Sequence, residues 1–217
     1  NLNGKIYGEV LIEYPGKTAD DLIREWIQII ADNSQDPAKL GTPAVYTTED
    51  GVDLSQMINK VLIGTVPYYQ ATGKYLTQLF DKGNSAAKEG KTYTDMEHYW
   101  DEAFGYFGAA RDYNTYSDSD IKGKVNKDSN SDGKINYNSE YNFSLAVGAA
   151  KRDVGSTSGT VDLTGDIFTA FLTGRALITA EGAQEDIAVH QVAAAEGMEK
   201  VIAATVVHYI NDTLADM

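Results

Sequence analysis

Apolar side chains recur at helical spacing along much of this chain, and polar segments rich in Gly, Asn and Asp separate the periodic stretches. In TADDLIREWIQIIAD, Thr18 stands as N-cap, Asp20 and Asp21 fall in the first turn, and Leu22, Ile23, Trp26, Ile29 and Ile30 form one stripe. That pattern predicts an amphipathic helix. Before it, residues 1–17 alternate loosely and are broken by Gly4, Gly8, Pro15 and Gly16, as in a short hairpin or an irregular lead-in. From Asp53, the positions Leu54, Met57, Ile58, Val61, Leu62, Thr65 and Tyr69 keep a 3.6-residue period. Pro67 then marks one bent helix or the junction of two.

Thr94 and Glu97 have the spacing of a capping box and open a helix through TDMEHYWDEAFGYFG. Periodicity is lost over 109–160, which reads as a long functional or mobile loop. VDLTGDIFTAFLTGRALITA resumes it, weakened by Gly165 and Gly174, and the Ala-rich run from Ala183 to Leu214 carries it furthest. In that last helix Ala194, Gly197 and Ala204 share a stripe with His190, Val201 and His208, so a second helix should approach closely there. The fold class is all-α, an irregular helical bundle. A lead-in with the first helix spans 1–45, and a helical domain spans 46–217 with the 109–160 insertion inside it.

Charge narrows the partners. Eighteen Lys and Arg against 32 Asp and Glu give a formal net charge of -14, which repels nucleic acid and anionic membrane surfaces and favours cations. With no cysteine, any metal must be held by oxygen and imidazole ligands. No apolar run reaches the ~20 residues that span a bilayer. The start NLNGK, without an initiator Met, reads as a mature or trimmed product.

Two groups of residues could carry chemistry. His98, Asp101 and Glu102 are spaced i, i+3 and i+4 and share one helical face, which could hold iron or zinc, pair as general acid and base, or simply pack. His208 and Asp212 repeat the His-Tyr and i+4 acid pattern and are candidate second contributors, as inward-facing residues of helical bundles can be. The second group lies in DSNSDGKINYNSEY. Asp128, Asn130, Asp132 and Gly133 reproduce the opening of a calcium loop, Lys134 offers its backbone carbonyl, and Asn136 fits the ninth position. The twelfth position is Ser139, with Glu140 one residue late, so the loop either binds weakly or closes in a shifted register.

QMINKVLIGTVPYYQATGKYL, EGKTYTDMEHYWDEAFGYFG, FLTGRALI and AATVVHYIND together resemble a bacterial family known as domain of unknown function 4856. The resemblance implies an exported or lipid-anchored cell-envelope protein, often encoded beside imelysin-type proteins of iron acquisition. Those are helical and carry a G-x-H-x-x-E string, of which His98 with Asp101 resembles a diverged form. It also implies a further His- and Glu-containing helix beyond HYIND. The expected function is a non-enzymatic metal-binding envelope protein, with uptake proteins as partners and Ca²⁺ in the loop. The alternatives are an imelysin-type metal-dependent peptidase and a calcium-stabilised structural or adhesive surface module.

Overall fold

A computed structural model describes residues 4–87, 89–154 and 161–216, with side chains defined as far as Leu214. It holds two compact units, Asn1–Gln70 and Ala71–Met217. Among the described residues there are seven α-helices and no strand beyond three isolated bridges, so the protein is all-α.

In the first unit α1 (Ala19–Asn33) starts at a full capping box: Thr18 Oγ1 accepts from the Asp21 N–H, and the Thr18 N–H donates to the Asp21 carboxylate. Its stripe buries Leu22 and Trp26 against Leu54 of α2 (Leu54–Ile63), with Met57, Ile58 and Val61 packed around them. Among its described residues the lead-in forms no hairpin. It makes a single bridge, Val10 to Thr18, and the Tyr7 N–H donates to the Thr65 carbonyl at 2.8 Å.

Beyond Ile63 the helix neither breaks nor starts afresh. It widens into a π-helix, Gly64–Leu76, with Pro67 inside. Proline lacks an N–H and its ring crowds the carbonyl four residues back, so the wider i to i+5 winding relieves what a tight helix would resist. The two compact units divide within this helix, at 70/71. The sequence pattern suggests a division at 45/46.

The second unit contains α3 (Asp95–Phe107), α4 (Asp118–Lys122), α5 (Ser144–Val154), α6 (Leu163–Thr179) and α7 (Gln184–Asp216). Trp100, Phe107, Tyr113, Leu145, Ile167 and Met198 are among its fully buried side chains. Helices α6 and α7 form an extensive contact, and α5 packs on both. The small-residue stripe of α7 does what its spacing predicts at Ala194, Gly197 and Val201, all buried. A Cβ at Gly197 would lie 2.4 Å from Ile167 Cγ1. Further along, Ala204 is only half-buried and His208 is exposed, so the expected close approach ends near Val201.

The segment 109–160 is not one loop. It holds a short 3₁₀ turn (Tyr113–Thr115), α4 and α5, leaving 123–143 as the irregular part; residues 155–160 lie outside the described residues. Helix α5 escapes a periodicity reading because its buried face is made of Ala146, Ala149 and Ala150 beside a single Leu145. Small side chains give little hydrophobic signal but allow close packing: a Cβ at Gly148 would come within 3.0 Å of Val201.

Candidate functional site

Helix α3 presents two working faces. One buries Met96, Glu97, Trp100, Ala103 and Phe107, while His98, Asp101 and Glu102 follow the neighbouring face. Glu97 completes the expected capping box, its Oε2 accepting from the Thr94 N–H at 2.9 Å while Thr94 Oγ1 accepts from the Glu97 N–H at 3.1 Å. Its other oxygen accepts from Arg175 at 2.7 Å and from the Thr179 hydroxyl at 2.9 Å, both on α6. Arg175 also donates to Asp101 at 2.8 Å and to the Thr179 hydroxyl.

Burial pushes the Glu97 carboxyl up, but the Thr94 N–H, Thr179 and Arg175 together outweigh it and leave it below the usual range. A lowered carboxylate stabilises the fold above its unfolded pKa, and that stability is lost as pH falls through the folded value. Glu97→Gln keeps the shape but weakens these charge-assisted bonds, so it should cost about 2 kcal/mol at pH 7. The deficit relative to the parent protein should shrink as pH drops below the usual carboxylate range. Urea melts of both proteins at pH 7 and pH 3.5 test this; equal deficits at the two pH values would contradict it.

The structure brings His98, Asp101 and Glu102 to one shallow cleft of about 370 Å³, with Gly105, Tyr106 and Phe143. His98 is half-buried, its ring stacked on Tyr93 at 5.7 Å and edge-on to Tyr99 at 6.1 Å. Asp101 is held by Arg175. His208 and Asp212 pair with each other at 3.1 Å on an exposed part of α7 and line neither this cleft nor the next. Among the described residues no three His, Asp or Glu side chains converge to hold a metal ion.

A larger cleft of about 640 Å³ adjoins it, sharing Asp101, Gly105 and Phe143. Trp100 and Phe104 of α3 and Phe168 and Phe171 of α6 form apolar lining, and Tyr137, Tyr141 and Phe143 add a row of rings from the 123–143 segment. Tyr141 and Phe143 stack at 6.3 Å with 23° between planes, and Tyr137 meets Tyr141 edge-on at 5.1 Å. The segment is tied to the end of α3 by backbone bonds: Phe143 N–H to Gly108 O at 2.8 Å and Arg111 N–H to Ser139 O at 2.9 Å. Asn142 adds a side-chain bond, its Oδ1 accepting from the Ala110 N–H at 2.8 Å.

The Asp/Asn loop begins just before this row of rings. Asp128 accepts from the N–H groups of Asp132 at 3.1 Å and Gly133 at 2.7 Å, Asn130 from Asp132 at 2.9 Å, and Asp132 from Lys134 at 2.9 Å. Gly133 takes φ 79°, the left-handed turn that the calcium-loop pattern reserves for glycine. Asn136 Oδ1 accepts from the Asn138 N–H at 2.9 Å. Glu140, only 1% exposed, follows Ser139 and turns its carboxylate back onto N–H groups of the loop. Its Oε1 accepts from the Ser129 N–H at 3.0 Å and the Asn130 N–H at 3.2 Å, and its Oε2 from the Asn136 N–H at 2.8 Å. The Asn136 N–H and the Ser129 donors hold its carboxyl below the usual range against the opposing effect of burial. The donor set of two carboxylates, two side-chain amides and a backbone carbonyl is the all-oxygen chemistry of Ca²⁺.

The sequence profile of the family described as domain of unknown function (DUF4856) matches residues 17–217. The chain belongs to the DUF4856 family. Comparison with curated proteins and with solved structures gives no match. Both clefts and the Asp/Asn loop lie within the DUF4856 region. Neither Arg111, Arg175 nor the ring row belongs to a local motif of the DUF4856 sequence. The available signal for Arg175 was a lone cation inside FLTGRALI, and for the rings three aromatics in seven residues, YNSEYNF.

Proposed function

We propose that the protein is a non-enzymatic binding protein of the bacterial cell envelope whose Asp/Asn loop takes Ca²⁺ and so fixes one wall of the aromatic cleft. The observation that carries this reading is Glu140: one buried carboxylate grips N–H groups on both arms of the loop, and the rings of Tyr137, Tyr141 and Phe143 flank it in the chain. An ion held by Asp128, Asn130, Asp132, Lys134 O and Asn136 would offset the repulsion between Asp128 and Asp132 and hold the same turn. The placement in the envelope and the link with iron or other metal acquisition rest on the family resemblance.

Calorimetric titration of chelator-treated protein with Ca²⁺, then with Fe²⁺, Fe³⁺ and Zn²⁺, tests the proposal. Stoichiometric Ca²⁺ binding is expected, with a melting temperature raised by about 5 °C or more when Ca²⁺ is a hundredfold above its Kd. Asp128→Ala with Asp132→Ala should abolish that rise; an undiminished rise refutes the loop assignment. A transition metal that binds natively and is lost in His98→Ala would instead move the function to the His98 face.

A further inference from the structure

We infer that the larger cleft binds a planar anionic small molecule, an aromatic or heteroaromatic carboxylate that stacks on the ring row and pairs with Arg111. The inference rests on reading this cleft as the binding site and is independent of the ion in the loop. Volume is the first argument. About 640 Å³ lies in the range of small-molecule pockets, which are mostly apolar with a few convergent polar groups.

Charge is the second. The protein carries a formal charge of -14, yet the charged side chains lining this cleft are two arginines and one aspartate. Arg175 is committed to Asp101 and Glu97. Arg111 is exposed, and among the described residues its guanidinium has no hydrogen bond or ion pair, although its backbone is fixed to Ser139. A free guanidinium on a rigid stretch, in a molecule that otherwise repels anions, selects for a carboxylate, which its planar fork can grip with two bonds.

Ring exposure is the third. Tyr137 is 73% and Phe143 43% exposed, and Leu172 across the cleft is 52% exposed. Exposed aromatic surface next to an unpaired cation fits a flat ring with an acid attached, since π-faces stack at little entropic cost.

The probe is 2-naphthoate, followed by calorimetry, with neutral 2-naphthalenemethanol as its control. The native protein should bind 2-naphthoate about tenfold more tightly than the alcohol, the gain of one charge-assisted pair. Arg111→Gln should remove that difference and leave the alcohol unaffected, while Arg111→Lys restores part of it. Tyr137→Ser, at an exposed position that does not threaten the fold, should weaken both probes. No binding of 2-naphthoate by the native protein overturns the proposal, as does discrimination that survives Arg111→Gln. Tighter binding of a flexible peptide ending in phenylalanine would replace the small molecule by a protein partner and overturn it too. Running each titration with and without Ca²⁺ separates the two readings: naphthoate binding in a protein that takes no Ca²⁺ rejects the loop assignment alone. Ca²⁺ uptake without naphthoate binding rejects this one alone.

Discussion

Trp100→Ala is expected to destabilise the second unit by about 3–5 kcal/mol, the range for removing a large buried aromatic. Trp100 is 1% exposed, its indole N–H donates to the Phe171 carbonyl at 2.9 Å, and its ring meets Phe171 edge-on at 5.6 Å. The α6 backbone runs hard against it: a Cβ on Gly174 would sit 2.2 Å from Trp100 Cζ2. Nothing larger than glycine fits there while the indole is in place, so Trp100→Ala leaves a cavity where α3 meets α6. Helical circular dichroism during urea unfolding reads the loss, and Trp26, the second of the chain's two tryptophans, reports separately on the first unit. A loss below about 1 kcal/mol would show that the indole is not the keystone of the α3 and α6 contact.

Gly197→Ala sets two effects against each other. Inside a helix alanine is favoured over glycine by about 1 kcal/mol, so propensity alone predicts a more stable protein. The new methyl would stand 2.4 Å from Cγ1 of Ile167, which is fully buried and has no room to turn away. Overpacking of this kind costs about 1–3 kcal/mol, and we expect it to prevail, separating α6 from α7 and lowering net stability. Ile167→Ala alone should cost about 2–5 kcal/mol. Combined with Gly197→Ala it should cost less than the sum of the two, because the Cγ1 that the new methyl would meet is gone. Strict additivity would mean that the two residues do not press on each other.

What could be read from the sequence follows how local each determinant is. The N-cap at Thr18 and the capping box at Thr94 depend on residues within three positions, and both are present as read, Asp21 completing a box at Thr18 as well. The stripe of α1 declared itself through large apolar side chains, and the long α7 through an extended run of helix-favouring residues rich in alanine. Helix α5 did not, because its buried face is alanine and its stability comes from what it packs against. The Asp/Asn loop was legible in its first nine positions for the same local reason, while the role of Glu140 depends on how the chain closes on itself. Least legible was the cleft. Arg175 lies 74 positions from Asp101 and 78 from Glu97, and no spacing rule links residues that only the fold brings together.

The start of α3 and the end of α6 are fastened to each other through Glu97 and through Asn84. Glu97 reaches Thr179, and Thr94 Oγ1 donates to Asn84, whose amide donates to the Ile178 carbonyl at 2.7 Å. Helix ends ordinarily fray one at a time. Here the last turn of one helix cannot unwind without releasing the first turn of the other. Their amide protons should therefore exchange with solvent deuterium at matched free energies, as a single opening unit built from two segments about eighty residues apart in the chain.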